Sequence, residues 1–254
     1  MRKIAGEYEN HMLETSEVVN LLNKASLQKK PLSLARFGHS EISLAWTTYP
    51  DWVKGWKYRE YNGATDNPHK MQDAIIESIK LTDIVGFHRS TSKSEEDRRF
   101  AQITKEMLEA LQIVPKYVCS AWITHQLIKN QQFWAWLCQQ KVVLVGRRSK
   151  DALPLFQKKG ITVTNTINLE GVADIERVYK LLCRKPNWDV ALISAGLPAS
   201  ILVPRLARDS GKIAIDFGHA IDKIIEGNDF RFGKTADEFN KINAKNTPKK
   251  GKDL

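Results

Sequence analysis

One short block of this chain combines residue types that bind metals and phosphates. Residues 36–41 have the sequence Arg-Phe-Gly-His-Ser-Glu, and they follow an apolar run, residues 31–35, that is short enough for a buried strand. The residues from Ile42 onwards have the pattern of a helix. The block therefore places a guanidinium, an imidazole and a carboxylate at a strand-to-helix turn, where open α/β sheets bind their ligands.

His39 and Glu41 are the candidate metal ligands in this block. They are two residues apart, so in an extended segment their side chains point the same way and share one ion. Imidazole with carboxylate suits Mn²⁺ or Zn²⁺ better than Mg²⁺. The structural alternative is an ordinary ion pair between Arg36 and Glu41, with His39 beside a helix cap. The block alone leaves both interpretations open.

Three later strand ends carry residues suited to an anionic ligand. They comprise Gly146 and Arg147; Ser194, Gly196, Leu197 and Pro198; and Asp216, Gly218 and His219. A guanidinium offers phosphate a planar fork of donors, and the backbone N–H groups that begin a helix favour an anion. A solvated basic loop, an ordinary turn and a buried histidine are the respective structural alternatives.

The elements that position these residues alternate along the chain. Strand patterns at 83–88, 116–120, 141–146, 161–164, 189–196 and 212–219 alternate with helix patterns at 94–111, 123–139, 151–159, 172–183 and 198–208. This alternation predicts an α/β, Rossmann-like domain over residues 31–233, with a largely parallel sheet of about seven strands and flanking helices. We expect a helical segment over residues 1–30, an aromatic loop or lid over 46–61, and a basic flexible tail over 234–254.

The composition is that of a soluble globular protein. Of the 254 residues, 42% are hydrophobic and 27% are charged, and no apolar run approaches the roughly 20 residues of a membrane span. No apolar signal region follows Met1. The three cysteines, Cys119, Cys138 and Cys183, are too widely spaced for a disulfide framework. We therefore expect a cytoplasmic protein with reduced thiols and no transmembrane segment.

The charge of the chain favours anionic partners. The formal net charge is +10 and the pI is about 9.4, although residues 241–254 contribute five lysines and one aspartate. No recognised nucleic-acid-binding module accompanies this charge, so we favour a phosphate-bearing small ligand over nucleic acid. The motifs of dinucleotide oxidoreductases, P-loop NTPases and α/β-hydrolases are absent.

Five segments of the chain together resemble the GT-D fold glycosyltransferases. They are residues 36–41, 119–122, 142–146, 193–198 and 216–219. Members of that family carry an Arg-Phe/Ile-Gly-Asp-Gly-Glu block after the first strand. They end their sheet with a Ser-Ala-Gly-type turn and an Asp-Phe/Ile-Gly-His strand exit. The segments agree with this pattern in order and spacing over residues 32–219.

The resemblance implies a nucleotide-sugar donor, usually a UDP sugar, and a glycan or glycoprotein acceptor. It also implies a divalent cation such as Mn²⁺, held through an Asp-x-Glu motif. On this chain Glu41 occupies the glutamate position, but His39 replaces the aspartate and Ser40 replaces the glycine. The imidazole removes one negative charge from the metal site. Weaker metal binding, metal-free transfer and loss of transfer activity are therefore open alternatives.

We accordingly interpret the chain as a GT-D type glycosyltransferase. Asp216 is the first candidate for the carboxylate that takes the acceptor proton in an inverting reaction, and Asp222 is the second. The predicted donor-binding residues are Arg36, Gly38, Gly146, Arg147, Ser194, Gly196, Leu197, Pro198, Gly218 and His219. A binding module of the same fold that holds a nucleotide sugar without turnover is the main alternative, and a nucleic-acid-binding domain is a weaker one.

Overall fold

A single parallel sheet forms the centre of the protein. The computed structural model describes residues 5–46, 63, 68–184 and 187–231. The strands are β1 (Met12–Leu13), β2 (Leu32–Arg36), β3 (Ile84–Phe87), β4 (Tyr117–Ser120), β5 (Lys141–Gly146), β6 (Thr162–Ile167), β7 (Val190–Ser194) and β8 (Ile213–Asp216). Their order across the sheet is β1-β4-β3-β2-β8-β7-β5-β6, and every pairing among these described strands is parallel.

Helices cover both faces of this sheet. They are α1 (Thr15–Leu27), α2 (His39–Trp46), α3 (Pro68–Leu81), α4 (Glu95–Ala110), α5 (Ile123–Leu127), α6 (Gln131–Leu137), α7 (Ser149–Lys158), α8 (Ile175–Arg184), α9 (Leu197–Ser210) and α10 (Ala220–Glu226). The predicted α/β architecture with a parallel sheet is confirmed. Among the described residues, no helix is both long enough and apolar enough to cross a membrane.

The two helix layers create two hydrophobic clusters. Successive residues of a strand point to opposite faces, so Leu34 packs in one cluster and Ala35 in the other, and both are fully buried. Burial on both faces explains why the strands have continuous apolar sequences rather than alternating ones. Each large apolar side chain that is removed from water in this way contributes about 1.5–3 kcal/mol to folding.

The order of the strands creates a crevice at the centre of the sheet. Strands β3 and β4 lie on one side of β2, whereas β8, β7 and β5 lie on the other. The segments that follow β2 and β8 lead to opposite sides, because α2 and α3 connect β2 to β3 whereas α10 packs against α7. In open α/β sheets this topological switch point is where ligands bind, at the carboxyl ends of the strands.

Several predicted elements differ from the structure. The sheet has eight strands rather than about seven, because Met12–Leu13 pairs with β4 at one edge. Residues 1–30 therefore include a strand as well as a helix. The single helix predicted over 123–139 is two helices, since the Asn130 side chain accepts a hydrogen bond from the Phe133 N–H at 3.0 Å and begins α6. Helix α3 was not predicted. The predicted aromatic loop beyond Trp46 and the basic tail lie outside the described residues.

Candidate active site

A cavity of about 290 Å³ opens at the carboxyl edge of the sheet, around the switch point between β2 and β8. Ten of the predicted site residues line it: Arg36, Gly38, His39, Glu41, Arg147, Ser194, Gly196, Gly218, His219 and Asp222. Four predicted residues, Gly146, Leu197, Pro198 and Asp216, lie behind this lining. The strand exits that were predicted to carry chemistry are thus brought to one place by the parallel sheet.

Arg36 is fixed at the cavity by Asp216. Its Nη2 lies 3.1 Å from Oδ1 of Asp216, and its backbone N–H donates to Oδ2 at 3.1 Å. Its Nε also donates to the Asp216 carbonyl oxygen at 3.3 Å. Asp216 is buried, and both of its carboxylate oxygens accept from Arg36. This carboxylate therefore orients the guanidinium, and its catalytic role stays a prediction.

Glu41 has a local partner at the start of α2. Helix α2 begins at His39, so residues 39–41 are helical rather than extended. The expectation that the side chains of His39 and Glu41 point the same way is therefore wrong. Oε2 of Glu41 instead accepts a hydrogen bond from the Gly38 N–H at 3.0 Å, as in one half of a capping box. Burial and the nearby Asp216 carboxylate raise the pKa of Glu41 to about 7.

His39 interacts with residues from two other parts of the chain. Its Nε2 lies 3.0 Å from Oδ1 of Asp97, in the first turn of α4. Its ring stacks on that of His88, which follows β3, with 4.2 Å between ring centroids and 8° between ring planes. Burial, together with the neighbouring imidazole of His39, lowers the pKa of His88 to about 4. His88 is therefore neutral at pH 7.

Asp97 is the polar centre of this cluster. Ser92 Oγ and Trp122 Nε1 donate to its Oδ2 at 2.8 and 3.0 Å, and Nδ1 of His88 lies 3.1 Å from its Oδ1. Burial alone would raise the pKa of Asp97. The hydrogen bonds from Trp122 and Ser92 and the two imidazoles of His88 and His39 outweigh burial and hold that pKa below its usual range.

The donor atoms of this cluster are of types that bind transition metals, but the two imidazole rings are not oriented to bind the same ion. The ligand atoms of His39, His88 and Asp97 lie within 4.8 Å of one another. An imidazole lone pair lies in the plane of its ring, so a metal lies close to the plane of every ring that binds it. The two stacked rings are nearly parallel and cannot both bind one ion until one of them turns. The types of these side chains therefore suit a divalent cation, but the orientation of the two rings in this structure does not.

A second cluster lies beyond β8. Nδ1 of His219 is 3.0 Å from Oδ2 of Asp222, and Nη1 of Arg148 is 3.0 Å from Oδ1 of the same carboxylate. Arg148 also pairs with Glu226. Asp222 is buried, whereas His219 is partly exposed in the cavity. A carboxylate that holds one ring nitrogen fixes the orientation of the other, which is the arrangement of an oriented general base.

The strand ends after β5 and β7 carry groups that bind anions. Helix α9 begins after Gly196, whose φ of +62° suits glycine, and Leu197 and Pro198 are buried in its first turn. The hydroxyl of Ser194 is buried and has no hydrogen-bond partner among the described residues. Gly146 allows this packing, because a Cβ there would lie 2.9 Å from the carbonyl carbon of Ser194. The helix N–H groups, the Ser194 hydroxyl and Arg147 therefore form a cationic, donor-rich wall.

A family model described as a GT-D fold-like domain matches residues 13–224 of this chain. The chain belongs to this GT-D-like family. The match covers all of the strands from β2 to β8 and ends within α10, so it contains the whole cavity. No curated protein matches the chain.

Solved structures of the same fold agree with this membership. One, described as "The highly conserved domain of unknown function 1792 has a distinct glycosyltransferase fold", has a TM-score of 0.59 and 16% identity, and the match covers 87% of this chain and 83% of that one. A selenomethionine-substituted structure of domain of unknown function 1792 also has a TM-score of 0.59, with 15% identity and the same coverage. "A New Glycosyltransferase (DUF1792) from Streptococcus sanguinis" has a TM-score of 0.55 and 18% identity, covering 87% of this chain and 86% of that one. At these identities the likeness shows a shared fold.

Four residues of these clusters were not among the site residues predicted from the sequence. Asp97 lies in an acidic helix start, and His88 stands at a strand end, a position typical of a helix cap or a buried histidine. Trp122 belongs to a segment that resembles the family, and Arg148 is, with Arg147, one of two guanidiniums at a strand exit that suit phosphates. Each has a local pattern with an ordinary structural explanation, so the signal that marks them is their tertiary contact.

Proposed function

We propose that this protein is a glycosyltransferase that moves a sugar from a nucleotide-sugar donor, in the first instance a UDP sugar, to a hydroxyl of a glycan or glycoprotein. The observation that carries the proposal is the convergence, in one cavity at the switch point, of an anchored guanidinium, a helix N-terminus and an oriented imidazole. Membership of the GT-D-like family supports it. The three unpaired cysteines support a cytoplasmic location.

We assign the donor diphosphate to the groups that follow β2, β5 and β7. Arg36 and Arg147 supply planar forks of donors, and the N-terminus of α9 supplies backbone N–H groups. Negative charge grows on the phosphate oxygen as its bond to the anomeric carbon breaks. Groups held in place before that moment stabilise the charge most, and the Asp216 partner gives Arg36 this preorganisation.

Proton transfer is assigned to His219, with Asp222 as its positioning residue. Both oxygens of Asp222 already accept from Arg148 and His219, and both oxygens of Asp216 accept from Arg36. In an inverting reaction, the acceptor hydroxyl gives its proton to Nε2 of His219 while its oxygen forms the new bond to the anomeric carbon. The bonding electrons of the old glycosyl–phosphate bond leave with the phosphate.

A divalent ion is the remaining part of the proposal. Mn²⁺ at the diphosphate would neutralise charge on the leaving group. Glu41 and His39 are the predicted ligands, and Asp97 and His88 stand beside them with suitable donor atoms. In this structure Glu41 and His39 are each engaged with another partner. Mn²⁺ stays a prediction.

Ligand binding tests the proposal directly. The melting temperature is measured with UDP, UDP sugars and other nucleotide sugars at millimolar concentration, with Mn²⁺ or with EDTA, since ligands that bind only the native state raise it. We expect a UDP sugar to raise the melting temperature of the parent and of Arg208→Met, a control at an exposed arginine. Arg147→Met should lose most of that effect. If no nucleotide sugar binds the parent, the proposal is wrong.

A non-catalytic nucleotide-sugar-binding module is the second candidate. The observation that favours it is His39 in the family's aspartate position, turned towards Asp97. Donor hydrolysis separates the two candidates, because a transferase that binds its donor releases nucleoside diphosphate to water at a slow but measurable rate. Tight donor binding with no release over many hours would favour the module.

A further inference from the structure

An exposed tryptophan stands at the cavity on the side away from the donor-rich wall that follows β5 and β7. Trp122 follows β4, lines the cavity and has 44% of its surface exposed. Its indole N–H donates to Oδ2 of the buried Asp97 at 3.0 Å, and its backbone N–H donates to Ser120 Oγ at 3.1 Å. A large aromatic ring that is held by its polar edge and is partly exposed is preorganised to receive another ring.

Further rings continue from Trp122 along the rim. The ring of His125 meets Trp122 edge to face at 5.6 Å, Phe230 lies 6.3 Å from His125, and His219 lies 6.2 Å from Phe230, measured between centroids. Burial and nearby positive charges such as Arg36 lower the pKa of His125 to about 4. The rim between Trp122 and His219 is therefore aromatic, and His125 within it is neutral at pH 7.

The strand order places Trp122 away from the proposed phosphate-binding groups that follow β5 and β7, whereas Arg36, after β2, lies between the two. Strand β4, which precedes Trp122, is four positions from β7 in the sheet, a separation of roughly 19 Å at about 4.8 Å per strand. Strand β8, which precedes His219, lies between them. A ring on Trp122 is thus on one side of His219, and the diphosphate-binding wall after β7 is on the other.

We propose that Trp122 is the stacking platform of an acceptor subsite that takes a pyranose ring. The proposal rests on the proposed function, because it uses His219 as the base and the β7 side as the donor site. The axial C–H groups of a pyranose carry partial positive charge and match the negative face of an indole, while its hydroxyls project from the ring edge. The rings of His125 and Phe230 form the rim that leads from this subsite to His219.

Saturation-transfer NMR with simple glycosides tests the subsite. The probes are methyl α- and β-glycosides of glucose, galactose, N-acetylglucosamine and rhamnose at about 10 mM, well above the weak affinities expected for single rings. We expect at least one glycoside to receive saturation at its axial ring protons in the parent. Trp122→Met, which keeps apolar volume without a ring, should reduce that signal about tenfold, and Trp122→Phe should retain most of it. Trp134→Phe, on α6, is the matched control.

The affinity for UDP, measured by calorimetry on the same variants, separates the outcomes. In EDTA, we expect the UDP dissociation constant to stay within about twofold of the parent in Trp122→Met, since Arg36, Arg147 and the N-terminus of α9 are untouched. A loss of UDP affinity in Trp122→Met would mean that the indole holds the nucleobase, which overturns the proposal. Absence of a glycoside signal that depends on Trp122 also overturns it. Failure of UDP to bind the parent would instead count against the proposed function.

Discussion

The guanidinium of Arg36 lies directly over the backbone of Gly218, so that a Cβ at position 218 would be 2.6 Å from Cζ of Arg36. Gly218 has a φ of +47°, a left-handed conformation that other residues rarely adopt. The turn after β8 therefore needs a glycine for two reasons, and the anchored position of Arg36 depends on it.

We expect Gly218→Ala to lose donor binding. The methyl group displaces the Arg36 guanidinium from Asp216, so the melting temperature should fall and the affinity for UDP should drop at least about tenfold. Backbone strain adds about 1–3 kcal/mol to the loss of stability. Gly211→Ala is the matched control, because Gly211 has a φ of +69° and nothing within 4 Å of its added Cβ. Equal UDP affinity in the two variants would contradict the prediction.

Glu41→Gln should stabilise the protein at alkaline pH. The pKa of Glu41 is raised to about 7, so ionisation of Glu41 opposes folding progressively as the pH rises from its ordinary pKa near 4.5 through 7. The glutamine keeps an acceptor for the Gly38 N–H and cannot ionise. At pH 8 in EDTA we expect a gain of up to about 3 kcal/mol in the free energy of unfolding, and little change at pH 4.5.

Denaturant unfolding at the two pH values measures this difference. Glu106→Gln, at an exposed glutamate of α4, is the control and should show no pH-dependent gain. A Glu41→Gln variant that is no more stable than the parent at pH 8 would show that the carboxylate is ionised at little cost.

His39→Asp should keep or strengthen metal-dependent donor binding. The substitution supplies the second carboxylate of the Asp-x-Glu pattern and places it near Asp97, where an unpaired negative charge is unfavourable without a cation. We expect calorimetry with UDP to show tighter Mn²⁺ binding than in the parent. Glu41→Gln should abolish any dependence of donor binding on Mn²⁺. If Glu41→Gln binds Mn²⁺ and donor as the parent does, the metal assignment to Glu41 is wrong.

His219→Gln should slow turnover without weakening the donor complex. Removal of a general base lowers kcat by about 10²–10⁴, and the acidic limb of the pH–rate profile should disappear with it. Asp222→Asn should give a smaller loss, because the imidazole remains but loses its orientation. Donor hydrolysis gives kcat and calorimetry gives the dissociation constant. An unchanged pH–rate profile in His219→Gln would exclude the imidazole as the base.

The protein should lose stability in mild acid. The pKa values of His88 and His125 are lowered to about 4, so the unfolded chain binds more protons than the native state once the pH falls below about 6.5. The stability that these neutral imidazoles provide is complete above pH 6.5 and is lost as the pH falls through 4. We expect His125→Gln to remove up to about 3 kcal/mol of this dependence in unfolding experiments, whereas His11→Gln should not.

The sequence alone determined the architecture and the edge of the sheet that carries function. Strands such as β5 and β7 are buried on both faces, which leaves an unmistakable apolar run, and parallel strands place their exits at one edge. Glycines such as Gly146 and Gly218 stand at those exits, where the sequence predicted ligand binding. Short elements left no such trace, and Met12–Leu13 is recognisable as a strand only because β4 lies beside it.

Only the tertiary structure decided which side chains meet. Arg36 and Asp216 are 180 residues apart, and they pair because the strand order puts β2 beside β8. His39 and Asp97 are 58 residues apart, and the helical start of α2 turns the imidazole away from Glu41. Local patterns reflect the burial and backbone preferences of neighbouring residues. The partner of a polar side chain depends on which strands and helices pack around it, and that choice is made by the whole fold.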